Sequence, residues 1–123
     1  MIMGRRFDLE ERLISFAVSS LKLVESMPRA IGARALASQY ARSGTAPALN
    51  YGEAQAAESD RDFIHKLKVC LKELGENHVC LKIILQMKYL KEDRVIPVEN
   101  ECNELIAILV TSIRTKQSNM THR

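Results

Sequence analysis

A chain of 123 residues with 46% apolar and 27% charged residues reads as one soluble globular domain, long enough to bury a core without disulfide or metal staples. Its net charge of +3 is too small to make it a polycation. Five glycines, three prolines, 5% aromatics and no Trp argue against many short strands and turns.

A few long helices are therefore expected, and the apolar periodicity supplies four. The first covers residues 9–27. Leu9, Leu13, Phe16, Ala17 and Val24 recur at helical spacing with Ile14, Val18 and Leu21 beside them, an unusually wide apolar face. Asp8, Glu10 and Glu11 place negative charge in the first turn, where the helix dipole favours it, and Pro28 ends the helix. The second helix covers 29–57. Ala30, Ala33, Leu36, Ala37, Tyr40 and Ala41 form a small-residue face that lets a neighbour approach closely. Gly44 weakens this helix, and Pro47 lacks an N–H and crowds the preceding turn. A kink or short irregular turn between Ser43 and Leu49 is predicted, a break into two helices being the other outcome.

The third helix covers 59–90. Ser59 is its N-cap, and Asp62 three residues on resembles a capping box. Phe63, Leu67, Cys70, Leu74, Leu81 and Ile84 make one apolar line, and Ile64, Leu71, His78 and Leu85 make a second. Two adjacent lines are wider than one partner helix needs. That is the sign of a helix packed both in its own bundle and against another subunit, through Phe63, Leu67, Leu71, Leu74, His78 and Leu81. A compact monomer using both lines is the other reading. Lys91 to Arg94 form a polar connection, Pro97 suits the first turn of a fourth helix over 97–114, and 115–123 reads as a frayed tail. The expected fold is all-α: one domain over 1–123, an antiparallel up-down-up-down four-helix bundle with a kinked second helix.

Cys70, Cys80 and Cys102 have neither a disulfide framework's even count nor a CxxC spacing, and they read as small apolar side chains in a reducing compartment. MIMGRRFDLEER lacks the apolar run of a signal peptide, and Leu105 to Val110 is too short to cross a membrane. A cytoplasmic location is expected. The charge is unevenly placed: Arg61 to Lys91 carries +4, Glu92 to Val110 carries −4, and Arg114, Lys116 and Arg123 add +3 at the end. Two such segments on neighbouring antiparallel helices would match much of each other's charge.

No catalytic pattern emerges. Glu73, Glu76 and His78 are the nearest approach to a di-metal motif, but His78 lies two residues after Glu76 and so on another helix face. His65, His78 and His122 have no orienting companions for acid–base or nucleophilic work, and Gly44 and Gly52 make no phosphate loop. No cofactor is expected. A second polar set is Asn50, Glu53, Lys66, Glu73 and Glu76. Asn50 and Glu53 share a face just after the proline, and docking of that stretch on the third helix is one reading, plain solvent exposure the other. Candidate nucleic-acid contacts are Arg29, Arg34 and Arg42 on the second helix and Lys66, Lys68, Lys72 and Lys82 on the third. No aromatic residues interleave with them, so any binding would be to phosphates and salt-dependent.

The segments RSGTAPALNYGEAQAAES and DFIHKLKVCLKELGENH resemble the four-helix-bundle proteins encoded in intervening sequences of bacterial 23S rRNA genes. The same superfamily includes the accessory variability determinant proteins of diversity-generating retroelements. The resemblance runs from about Phe7 to Arg114 and is densest in Arg42-Ser43-Gly44, Asn50, Glu53, Ser59, Asp62-Phe63, Lys66 and Glu73. It implies a four-helix bundle assembled as a homopentameric, barrel-like ring, with a non-enzymatic role and RNA, DNA or a reverse transcriptase as partner. The resulting expectation is a self-associating binding or scaffold module. A purely structural or protein-interaction oligomer without nucleic acid is the alternative, and a small metal- or ligand-binding enzyme is a third.

Overall fold

The computed structural model describes residues 8–121. They form α1 (Leu9–Glu25), α2 (Ile31–Gln55), α3 (Asp60–Met87) and α4 (Glu92–Thr121), with no strand among the described residues. Met1 to Phe7, read above for the lack of a leader, and His122 and Arg123 of the expected tail lie outside the described residues.

Each helix starts and stops for a local reason. Asp8 is the N-cap of α1 rather than part of its first turn, its Oδ1 accepting from the Glu11 N–H at 3.1 Å. Leu9, Leu13, Phe16, Ser20 and Leu23, spaced three or four apart, form the buried face of α1. Ser59 caps α3, accepting from the Asp62 N–H at 3.1 Å. Lys88 ends α3 in the left-handed region at φ 57°, and its N–H and that of Tyr89 close back on the Leu85 and Ile84 carbonyls.

The second helix is continuous through Pro47, without the irregular turn predicted there. The proline still lacks the N–H that would meet the Ser43 carbonyl. Yet Tyr40, Ser43, Gly44, Pro47 and Ala54 form one buried helical face, and unwinding the turn would strip that face from its neighbours. Arg29 falls in the connection before α2 and not on the helix.

The fourth helix differs most from its expected limits of 97–114. It begins at Glu92, inside the predicted connection. Val95 is fully buried, and the Lys91 carbonyl accepts from the Arg94 and Val95 N–H groups. Pro97 falls in the second turn, where it removes only the bond to the Asp93 carbonyl. The helix continues to Thr121, so the expected frayed tail is ordered helix as far as described. Met120 packs against the core, Lys116 pairs with Asp60 at 3.1 Å, and the Lys116 ammonium lies 5.5 Å from the Phe63 ring centre.

Neighbouring helices run antiparallel, as the order of their cross-contacts requires. Arg42 meets Glu73 and Glu76, while Glu53, further along α2, meets Lys66, further back on α3. Asp60 pairs with Lys116 and His78 with Glu99 between α3 and α4. Arg12 pairs with Glu101 and Glu104, and Ser26 with Arg94, between α1 and α4. The helices form a closed cycle in which the α1–α4 seam is the thinnest. One apolar cluster joins all four, centred on Leu13, Phe16, Tyr40, Leu67, Leu74, Leu81, Ile84, Leu105 and Leu109. Each such side chain taken from water stabilises the fold by about 1.5–3 kcal/mol.

Candidate functional site

The α2–α3 seam gathers most of the polar residues singled out from the sequence. Arg42 Nη1 donates to both carboxylate oxygens of Glu73 at 3.0 and 3.2 Å, and Nη2 donates to Glu76 at 2.8 Å. Three turns on, Lys66 Nζ donates to Glu53 Oε1 at 2.7 Å. These pairs hold both cations charged, Arg42 through its hydrogen bonds to Glu76 and Glu73 and Lys66 through that to Glu53. Glu53 thus docks on α3. Asn50 does not: its amide donates to the Ala46 carbonyl of its own helix at 2.9 Å. Arg42, offered above as a phosphate contact, is already matched by two carboxylates.

Below this seam lies a polar layer inside the bundle. Ser20, Ser43 and Asn77 are fully buried, with Tyr40 beside them. Asn77 Nδ2 donates to Ser43 Oγ at 3.3 Å, and Ser43 Oγ donates to the Tyr40 carbonyl at 3.2 Å. Burial pushes the Tyr40 phenol up to about 12, opposed by the Ser20 and Asn77 side chains beside it. Those neighbours stand close, but Ser20 Oγ, Tyr40 Oη and Asn77 Oδ1 make no contact of hydrogen-bond geometry. Gly44 completes the layer. A Cβ there would come within 2.5 Å of Ser20, so Gly44 serves close approach of α1 to α2.

The three thiols are buried and free of disulfides. Cys70 donates to the Pro47 carbonyl and Cys102 to the Leu74 carbonyl, each at 3.3 Å. Desolvation pushes both thiols up to about 12 and raises Cys80 as well. All three pack as small apolar groups in the interior. Among the described residues, no three His, Cys, Asp or Glu side chains converge as metal ligands would, and no helix is long and apolar enough to cross a membrane.

The expected charge matching between α3 and α4 is sparse. The acids of α4 look elsewhere: Glu101 and Glu104 clasp Arg12 of α1, with Arg12 Nη2 at 2.6 and 2.9 Å. Among the described residues, the ion pairs between α3 and α4 are His78–Glu99, at 3.1 Å, and Asp60–Lys116. Arg61, Lys68, Lys72 and Lys82 consequently stay exposed, with no carboxylate in ion-pair reach among the described residues. Arg29 and Arg34 flank a shallow recess with Val24, Met27 and Ala37 at the opposite end of the bundle.

The stripe named for self-association is largely internal. Leu67, Leu74 and Leu81 are fully buried, and Phe63, Leu71 and His78 are half-buried. The large apolar side chains left outside include Ile31 and Leu49 on α2, Ile96 on α4, and two trios: Ile14, Val18 and Leu21 on α1 and Val79, Ile83 and Met87 on α3. Each trio repeats at helical spacing and forms an outward stripe.

Residues 5–111 match the model of the 23S rRNA-intervening sequence protein family. The chain belongs to that family. A solved relative is similar over most of its length: a protein of unknown function from the S23 ribosomal protein family of Bacteroides thetaiotaomicron. It is 27% identical, superposes with a TM-score of 0.81, and the match covers 86% of this chain and 98% of the relative. None of the curated proteins matches the chain.

Within this family member, three arrangements escaped the sequence reading. The Ser20–Gly44–Asn77 layer joins residues distant in sequence. The Arg12 clasp carried no local signal beyond an arginine on α1 and two glutamates on α4. The outward face of α3 also went unread, although spacing could have found it, because Arg61, His65, Lys68, Lys72, Val79 and Ile83 share one helical face.

Proposed function

We propose that this member of the 23S rRNA-intervening sequence protein family is a non-catalytic, self-associating bundle that serves as a binding scaffold for nucleic acid or a nucleoprotein. The observation that carries this reading is the outward face of α3. Its first half presents Arg61, Lys68 and Lys72, and its second half presents Val79 and Ile83, with Met87 beside them. Unmatched cations suit phosphates, and an exposed apolar stripe suits another protein surface. The polar groups weighed above for metal or acid–base chemistry are engaged in holding helices together, Glu73 and Glu76 by Arg42 and His78 by Glu99.

Self-association in this reading uses the stripes on α1 and α3, and a ring of five is the assembly implied by the resemblance. Five copies would carry about +15, and a ring concentrates such a field. A reverse-transcriptase-type enzyme is the protein partner implied by the likeness to accessory variability determinants, with the cytoplasm as the setting. The alternative, an oligomer without nucleic acid, draws on the neutralised Arg42 and Lys66.

Light scattering at several concentrations, joined to a gel shift with RNA and DNA over a salt series, tests the proposal. An oligomer that shifts either nucleic acid at low salt supports it. An oligomer with no shift leaves the protein-interaction reading, and a monomer at micromolar concentration removes the scaffold.

A further inference from the structure

The free cations are not evenly spread over the surface. A groove of about 440 Å³ runs between the first half of α3 and the last turns of α4, lined by Arg61, Ile64, His65, Lys68, Gln117 and Thr121, with Met120 beside them. On α3, Arg61, His65 and Lys68 stand four and three residues apart, so they share one wall. Lys72 continues that wall one turn further. On α4, Gln117 and Thr121 line the other wall, and Arg114 lies on the same face by spacing. The floor is apolar, from Ile64 and Met120.

Among the described residues, no carboxylate lines this groove. Nearby Asp60 is turned to Lys116 at 3.1 Å. The larger groove at the other end of the bundle is a contrast. Lys88, Lys91 and Arg94 line it, but so do Glu92 and Asp93, which cancel most of its charge. The α3–α4 groove is thus an uncompensated cationic cleft with neutral hydrogen-bonding groups on its far wall.

The spacing of the cations narrows the ligand. Arg61, Lys68 and Lys72 span about 16 Å along the helix, at about 1.5 Å per residue. A single small anion would need converging donors, whereas an extended row suits an extended polyanion. Arginine and lysine bind phosphate oxygens with charge-assisted bonds, and imidazole and amide N–H groups add neutral ones. Among the described residues no Phe, Tyr or Trp lines the groove, so its contacts suit the backbone rather than stacked bases.

We propose that the α3–α4 groove seats the phosphodiester backbone of a nucleic-acid strand, held by Arg61, Lys68 and Lys72 with His65 and Gln117 as supporting donors. This rests on the nucleic-acid reading above and assigns it a place on the molecule. Binding there is indifferent to sequence and weakens steeply with salt, by a slope of about 0.7 per phosphate contact on a single strand.

The test uses the full chain and a fluorescein-labelled single-stranded RNA of mixed sequence, read by fluorescence anisotropy across a potassium chloride series. The double variant Arg61→Gln, Lys68→Gln is expected to lose about tenfold in affinity and to show a salt slope shallower by about 1.4. Lys22→Gln, in the last turn of α1 at the opposite end of the bundle, is expected to stay within about twofold. All the substituted residues are exposed, and far-UV circular dichroism confirms that each variant is folded. If the native protein binds and the double variant binds equally well, the groove assignment fails while the wider reading stands. If the native protein does not bind the RNA at low salt, both fail. If a polyglutamate chain competes as well as the RNA, the groove is a site for acidic polypeptide and the phosphodiester assignment is overturned.

Discussion

Gly44 of α2 rests directly on Ser20 of α1: a Cβ built on the glycine would meet the Ser20 Cβ and Oγ at 2.5 Å and Asn77 Nδ2 at 3.2 Å. Both neighbours are fully buried and have nowhere to retreat. Helix propensity alone would favour alanine over glycine by about 1 kcal/mol. Overpacking of a tight interior costs about 1–3 kcal/mol, so the clash wins. Gly44→Ala should therefore lower stability in urea unfolding, and Ser20→Gly in the same chain should restore part of the loss. An alanine variant more stable than the parent would show that α1 and α2 are not packed this closely.

Arg12 is the clasp of the thinnest seam. Its guanidinium donates to both oxygens of Glu101, at 3.0 and 2.6 Å, and to Glu104 at 2.9 Å. The side chains of Arg12 and Glu101 are about one-third exposed, so solvent screens the pair and the expected loss for Arg12→Ala is only about 0.5–1 kcal/mol. Arg12→Lys should recover little, because an ammonium cannot reproduce the fork. Hydrogen exchange should rise in the facing halves of α1 and α4 before it rises in α3.

Lys88 adopts φ 57° at the end of α3, the one non-glycine residue with positive φ among those described. The left-handed conformation costs an L-residue about 1–2 kcal/mol relative to a right-handed one. Lys88→Gly should raise stability by about 0.5–1 kcal/mol, since glycine also loses more chain entropy on folding. Thermal unfolding measures it, and a lower midpoint for the glycine variant would contradict the cap geometry.

Stability should fall on the alkaline side. Buried Cys70 and Cys102 are pushed from an ordinary 9.0 to about 12, and buried Tyr40 from 10.0 to about 12, in each case by desolvation. Between those values the unfolded chain has released protons that the folded chain retains. The unfolded state therefore binds fewer protons, and unfolding becomes easier as pH rises from about 9 to about 12. Urea midpoints across that range should decline, and less so in a Cys70→Ala, Cys102→Ala variant. At neutral pH the three thiols should resist an aromatic disulfide reagent until denaturant is added.

The outward apolar stripes make a separate prediction about assembly. Val18→Glu on α1 and Ile83→Glu on α3 place charge on surfaces that are 46% and 41% exposed in one copy. Each should shift light scattering toward smaller species while leaving monomer stability within about 0.5 kcal/mol. Unchanged mass in both variants would remove these stripes from any contact between copies.

Helix number and type were legible from local patterns. The Leu9–Leu13–Phe16 spacing, the Ser59 cap and the Leu67–Leu74–Leu81 line each announce a helix within a few residues of sequence. At Pro47 the helix continues where an irregular turn was one expected outcome, because local chemistry counts the lost hydrogen bond but not the buried face that spans it. The fourth helix was underestimated at both ends for a related reason. Val95 and Met120 look isolated in the sequence, yet both touch the core in three dimensions.

Partner choice among charges was not legible at all. An arginine such as Arg42 reads the same whether it faces water or two glutamates, and the acids of α4 turned to Arg12 rather than to the lysines of α3. Sequence by itself determined four amphipathic rods and their antiparallel succession through short links, since these depend on neighbours along the chain. Only the tertiary structure decided which cations are quenched and which stay free along α3, and why position 44 has no side chain. Those outcomes depend on distances of a few ångströms between helices, which no pattern along one strand of sequence records.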